Sequence, residues 1–284
     1  MKKKKFQPGQ IGAFTLLSLW ALTTIYPIFW VVLNSIKDRK IIVSDSFSLP
    51  IGEKFSMANY QLAFERLDIF GAYRNSLIIS LSVAVVVILL AGMASYALVR
   101  YTFKGKEILN GLVIAGMMFP VFATIIPVFQ MMSKWGIVNT PDLWKSLLAT
   151  ALPQIAGNMS FAIVVLSGYI KGLPVELEEA AYMEGCNAFQ IFTRVVMPLS
   201  KPSFATVGIF SFLWSYNDLF TQSFMLRGSQ YGITRLLNEL TSREGTNYGL
   251  MAAAVTLVVI PILIVYIFLQ KYIIKGMTAG AVKG

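Results

Sequence analysis

Residues 76–98 read SLIISLSVAVVVILLAGMASYAL, an apolar run without a charged side chain. About 20 such residues let an α-helix cross the hydrocarbon core of a bilayer. Five further stretches meet the same requirement, near 11–34, 108–132, 146–170, 203–224 and 249–271. The chain is therefore expected to be an all-α membrane protein with six transmembrane helices. The fifth stretch is the least apolar, because Asp218 falls near its end. Pro120, Pro127, Pro153 and Pro261 lie within spans and predict kinks. Trp30, Trp135 and Trp144 fall near predicted span ends on one common side, where interfacial anchors belong.

Composition agrees. Hydrophobic residues make up 56% of the 284 and charged residues 13%, roughly half the charged share of a soluble domain. The net charge of +10 is scattered between apolar runs and carries no aromatic–basic motif. That pattern points to lipid headgroups and topology rather than nucleic acid. With no histidine and the single cysteine Cys186, the chain can form no intrachain disulfide. It also lacks the usual ligands for zinc and haem and the usual Cys/His nucleophile. The first apolar run follows Lys2, Lys3, Lys4 and Lys5, as a signal peptide's would. It is longer than a signal peptide's and no small-residue cleavage site stands after it, so it reads as an uncleaved first span. Six spans put both termini on one side. If that side is cytoplasmic, 13 of the 24 basic residues lie inside, too even a split to orient the chain. The N-terminal lysines favour inside, while Lys37, Arg39 and Lys40 after the first span argue the reverse.

Between the fourth and fifth spans lies PVELEEAAYMEGCNAFQIFTRVVMP, residues 174–198. Pro174 suits the first turn of a helix, and Glu176, Glu178 and Glu179 suit its positive end. Gly185 can take the left-handed conformation that ends the helix. Asn187, with Gln190 three residues on, forms a capping box for a second helix. That helix carries Phe189, Phe192 and Val196 on one face and must stop before Pro198. Two readings of this helix–turn–helix stand. One is a hairpin lying in lipid headgroups; the other is an element that docks its Phe face into a groove on a partner protein. The glutamates favour the second, since anionic lipid would repel them.

The same residues resemble the cytoplasmic loop of bacterial ABC importer permeases, of the form E-A-A-x3-G-x9-I-x-L-P. Glu179, Ala180, Ala181, Gly185 and Pro198 match at the right spacing, and Val195 and Met197 stand apolar in place of Ile and Leu. YPIFWVVLNSIKD, GLPVELEEAAYMEG, FLWSYNDLF and the C-terminal GMTAGAVKG are similar to segments of carbohydrate-importer permeases of the maltose type, specifically the smaller of their two permease subunits. The resemblance implies a cytoplasmic coupling loop at about 171–201 and both termini in the cytoplasm. The N-terminal tail would cover 1–10 and the transmembrane domain 11–284. A C-terminal tail would cover about 272–284, with 279–284 reaching toward an ATPase dimer interface. It implies that Glu179, Ala180, Ala181, Gly185, Phe189, Phe192 and Pro198 dock an ATPase. Ala181, Phe189 and Phe192 would be buried against that partner, and Glu179 would be placed for a charged or helix-end contact. The implied partners are a second permease completing a heterodimer, an ATPase dimer, and an extracellular or periplasmic solute-binding protein met by SREGTN, 242–247. The implied location is the plasma membrane of a prokaryote.

No G-x-x-x-x-G-K-[ST] occurs in the chain. ATP and Mg are therefore expected on a separate polypeptide, with no cofactor here. An ion-coupled carrier would place titratable groups inside the membrane, and the spans offer only Asp218, although a sodium site built from carbonyls stays open. A membrane enzyme would need paired acids or a metal-binding motif. Asp38, Asp45, Glu53, Glu65 and Asp68 are instead dispersed among lysines and arginines. An ABC permease for amino acids or phosphonates is the alternative within the class. Sugars are held by aromatic faces with amides and hydroxyls. Trp214, Tyr216 and Asn217 on the fifth span, with Gln154 and Asn158 on the fourth, are thus candidates for a substrate path. Span packing, an interfacial belt or a helix–helix hydrogen bond would explain the same residues. The resemblance implies that the larger permease holds most of the substrate contacts.

Overall fold

Val83, Val85, Val86, Val87 and Ile88 are β-branched and favour strands in water. In lipid a lone strand would leave its peptide groups unpaired, whereas a helix pairs them internally, and the run is helical. The computed structural model describes residues 8–243 and 247–281. Among these, the only strand-like pairing is one antiparallel bridge between Lys37 and Phe55.

In chain order the helices begin with α1 (Pro8–Ser35), α2 (Arg39–Ser44) and α3 (Ala58–Arg66). Then come α4 (Ile69–Arg100), α5 (Lys106–Met118), α6 (Val121–Lys134) and α7 (Leu143–Lys171). A connection follows, made of α8 (Glu176–Met183), α9 (Ala188–Ile191), a π turn (Phe192–Val196) and α10 (Met197–Leu199). The chain ends with α11 (Lys201–Asn217), α12 (Leu219–Met225), α13 (Ile233–Arg243) and α14 (Tyr248–Ala281). The described residues divide into two compact units, one running to Asp68 with Leu237–Pro261, the other Ile69–Leu236 with the chain from Ile262 on.

Among the described residues four helices, α1, α4, α7 and α14, are each long and apolar enough to cross a membrane, or up to six spans if each of two bent pairs is one. The third expected span, 108–132, is not one rod. Its halves, Lys106–Met118 and Phe122–Lys134, meet at 104°. Pro120 has no N–H and holds Phe119 in extended backbone (φ −74°, ψ 119°), which ends α5. Pro127, Pro153 and Pro261 lie inside continuous helices. The fifth expected span, 203–224, is also interrupted. α11 ends at Asn217, Asp218 turns the chain, and α12 follows. The second bent pair is Ala188–Leu199 with α11, which meet at 84°. The segment before α11 therefore runs across its axis.

In the first unit, Asn59 of α3 donates to the carbonyls of Ser35 (3.0 Å) and Lys37 (2.7 Å), satisfying groups freed where α1 ends. Lys37 is fully buried, and its ammonium donates to Asn34 Oδ1 (3.2 Å) and the Ser46 carbonyl (2.8 Å). Burial pushes its pKa below the usual lysine range, and nearby Asp45 offsets only part of that. One of the basic residues that argue for the reverse orientation is thus used inside the fold. The apolar side chains of α1, Leu16, Trp20 and Ile25 among them, stay exposed on this chain.

In the second unit, α4 packs along α7 and α11. Seven of its 13 buried residues are small: Ala72, Ser76, Ser80, Ala84, Ala91, Gly92 and Ser95. Lipid tails are as apolar as leucine, so helices in a membrane attract mainly through close packing, which small residues permit. Ile79, Val83 and Val87 of α4 meet Leu147, Ala162 and Leu166 of α7 and Phe204 and Val207 of α11 in one core. Ser95 Oγ donates across to the Ile163 carbonyl at 3.1 Å.

Gly92 marks a close approach along this face. A Cβ there would stand 2.7 Å from Phe204 Cε1 and 3.2 Å from Phe192 Cζ. Overpacking costs about 1–3 kcal/mol, whereas Gly to Ala in a helix gains about 1 kcal/mol. Gly92→Ala is therefore expected to lower the thermal unfolding midpoint of the detergent-purified protein. Adding Phe204→Leu, which removes the obstructing ring, is expected to recover part of the loss.

Candidate functional site

The connection between α7 and α11 is two helices with a turn set by one glycine. α8 opens on Glu176, Glu178 and Glu179, where unpaired N–H groups give the helix its positive end. Pro174 sits two residues ahead of the helix rather than in its first turn. Gly185 follows α8 at φ +86°, the left-handed region. Its N–H donates to the Tyr182 carbonyl (2.9 Å) and the Cys186 N–H to the Ala181 carbonyl (3.0 Å), the bond pair of a Schellman motif. Space around Gly185 is open, so it is the backbone angle that calls for glycine. Asn187 then caps α9: its side chain accepts from the Gln190 N–H and its own N–H donates to Gln190 Oε1, both at 2.9 Å. This is the capping box expected from the sequence.

The second helix does not stop before Pro198. The Met197 N–H reaches back five residues to the Phe192 carbonyl, and the chain stays helical through Leu199. This wide turn shifts the hydrogen-bond register, so Pro198, which has no N–H to give, is accommodated.

The loop has two faces. Ile191, Phe192 and Val196 point inward. Phe192 is 3% exposed, with its ring 5.6 Å from Tyr96 and 6.4 Å from Phe204. Phe192, expected against a partner, is therefore held inside its own chain, where it covers apolar surface of α4 and α11. Ala181 is half-buried against the same core. Glu179, Ala180, Gly185, Phe189 and Pro198 are exposed. Phe189 is 65% exposed and does not share the burial of Phe192 and Val196, because it lies on the flank of their inward face. On α8, seven and six positions earlier, Tyr182 is 70% and Met183 84% exposed. The sequence reading passed over these two. No local signal marks them, because their exposure follows from how α8 packs, with Glu178 buried and Ala181 half-buried.

Of the loop's glutamates, Glu178 alone is buried. Arg100, the last residue of α4, donates through Nε to Glu178 Oε1 at 2.7 Å and through Nη2 to the Leu173 carbonyl at 3.0 Å. The two side chains are 12% and 10% exposed. Removing one partner from such a pair typically costs about 3–5 kcal/mol, because the other charge is left buried alone.

The candidate substrate-path residues do not converge. Trp214 is half-exposed and meets Phe161 of α7 edge-on at 4.9 Å. With Phe161, Met117, Phe119 and Pro153 it lines a cavity of about 500 Å³. Tyr216 is buried beside Phe212. Asn217 is exposed and donates to the Leu213 carbonyl of its own helix at 2.8 Å. Asn158 is buried; its amide donates to the Gln154 carbonyl at 2.7 Å, and its Oδ1 has no protein partner. Gln154 joins a different group. Its Nε2 donates to Asp218 Oδ2 (2.8 Å) and its Oε1 accepts from Ser215 Oγ (2.5 Å). Asp218 Oδ1 accepts from the Thr221 N–H (2.9 Å) and so caps α12. The one acid near a span's interior thus holds a helix break together.

Among the described residues no group of three or more Cys, Asp or Glu side chains converges as metal ligands would. The expected binding-protein segment 242–247 falls partly outside the described residues, as do 282–284 and the N-terminal lysines.

The family described as binding-protein-dependent transport system inner membrane component matches residues 84–279, which include the whole loop. The diacetylchitobiose uptake system permease protein NgcG of Streptomyces coelicolor is 32% identical over 93% of this chain and 86% of its own. The arabinooligosaccharides transport system permease protein AraQ of Bacillus subtilis is 30% identical over 99% of this chain and 98% of its own. In three dimensions the chain resembles one from the crystal structure of a bacterial ABC transporter involved in the import of the acidic polysaccharide alginate. The TM-score is 0.78 over 95% of this chain and 99% of that one, at 23% identity, a likeness of fold. From the matched segment and from relatives aligned over nearly their whole length, the chain belongs to the family of binding-protein-dependent transport system inner membrane components.

Proposed function

We propose that this chain is one of two permease subunits of an ATP-driven oligosaccharide importer, and that a separate ATPase docks on its loop at 171–201. The observation that carries the docking is the outward apolar face of Tyr182, Met183 and Phe189, beside the exposed Glu179 and Ala180. Such a face gains by filling a groove on a partner, and its acidic neighbours make lipid headgroups a poor alternative. The absence of a P-loop sequence supports nucleotide and Mg binding by that other chain. Relatives named for diacetylchitobiose and arabinooligosaccharides support the solute class.

On this reading the loop and both termini face the cytoplasm of a prokaryotic cell, with 272–284 on the ATPase side. The second permease completes the pore, and a solute-binding protein delivers the sugar from outside. The inward residues give the loop its leverage. Phe192 and Val196 are set into the core, so a push on α8 and α9 moves the helices they are packed against. The cavity lined by Trp214 and Phe161 offers aromatic faces on which a sugar ring can stack.

Met183→Asp with Phe189→Asp places two charges on the proposed docking face. The variant is expected to insert at the wild-type level and to weaken ATPase association by about 30-fold or more, the scale of a lost interface hot spot. Pull-down of the tagged permease from its native membrane measures this, and an ATPase recovered at the wild-type level defeats the docking assignment. Trp214→Ala is expected to lower the initial rate of ATP-dependent oligosaccharide uptake at low substrate, with the ATPase still bound. Uptake unchanged in this variant removes the cavity from the path.

A further inference from the structure

α7 and α11 are joined to the loop by the chain itself, through residues 172–175 and through Ser200. α4 is not, although it packs along both. Its hold on the loop consists of side-chain contacts. The Tyr96 ring meets Phe192 at 5.6 Å, and Gly92 lets Phe192 and Phe204 come close. The apolar burial that such contacts provide is non-directional, and their geometric preference is weak beside that of a charged hydrogen bond.

Arg100 differs. Its guanidinium donates to two acceptors on two elements, Glu178 on α8 and the Leu173 carbonyl in the α7–α8 connection. A planar fork sets distance and direction together, which an ammonium on a flexible stem does not. Both side chains are almost wholly buried, so little water competes for the bonds. Arg100 also sits at the C-terminal end of α4, where a cation is favoured by the helix dipole.

We propose that Arg100 is the positioning residue that clamps the docking loop to α4, so that displacement of α8 is delivered to α4 together with α7 and α11. The inference rests on the docking role of the loop argued above, and it adds a third helix to the moving body. A residue that served only stability would loosen the whole bundle when altered. A clamp, when altered, loosens α8 and spoils the conversion of ATP hydrolysis into transport.

The test uses the full transporter in proteoliposomes, this chain with its second permease, ATPase and binding protein, with ATP hydrolysis and solute uptake measured together. Arg100→Lys keeps the charge and loses the fork; Glu178→Gln keeps the shape and loses the charge. Both are expected to lower the solute moved per ATP by about fivefold or more, with the ATPase still co-purifying. Hydrogen exchange on the detergent-purified chain is the second readout. Arg100→Lys is expected to speed exchange in α8 and leave α7 unchanged. Wild-type transport per ATP in Arg100→Lys overturns the clamp, as does unaltered exchange in α8 or faster exchange spread over α4, α7 and α8 alike. If the wild-type chain brings down no ATPase, the docking reading falls, and the exchange measurement alone decides whether Arg100 holds the loop.

Discussion

A peptide N–H inside a bilayer has no water to turn to, and leaving it unpaired is costly. That constraint accounts for most of this chain. It turns a valine-rich run into helix α4. It also makes each interruption of a span something to be compensated. At Asp218 the compensation is visible: the carboxylate takes the free N–H of Thr221, and Gln154 from α7 holds the carboxylate in place. At Phe119–Pro120 the proline has no donor to leave unpaired, and the break borders the cavity of about 500 Å³ lined by Phe119, Phe161 and Trp214. Irregular backbone at membrane depth is tolerated where it lines such a space.

The connection before α11 answers a different demand. It turns the chain sharply between two short helices and leaves apolar side chains exposed. Its shape is local in origin: a Schellman turn at Gly185, a capping box at Asn187, and a π turn that carries the helix past Pro198. Its attachment is tertiary in origin, through Phe192, Val196 and the Arg100–Glu178 pair. Tyr182, Met183 and Phe189 are among the apolar side chains that it leaves exposed. One short stretch thus divides its apolar side chains between those packed into the core and those left exposed.

The division explains what could be read in the sequence and what could not. The two loop helices, the turn and the cap were legible because each depends on residues within five positions of one another. The motif residues Glu179, Ala180, Gly185 and Pro198 were legible by spacing, and they lie on the exposed side. Phe192 was misplaced because an amphipathic stripe shows that a face will be covered but not by what. Tyr182 and Met183 were missed because their importance is exposure, which is set by the orientation of α8. The candidate sugar contacts on α11 came from residue type alone, and neighbouring helical positions point to different sides.

By itself the sequence determined the membrane-spanning runs, the proline at the break in the third, and the local geometry of the loop, since each follows from the chemistry of adjacent residues. Only the tertiary structure decided which glutamate is buried, which phenylalanine turns inward, and that Lys37 is spent inside the fold. Arg100 and Glu178 are 78 positions apart. Nothing local to either selects the other; the packing of α4 against α7 brings their charges together away from water, where an ion pair has to be made.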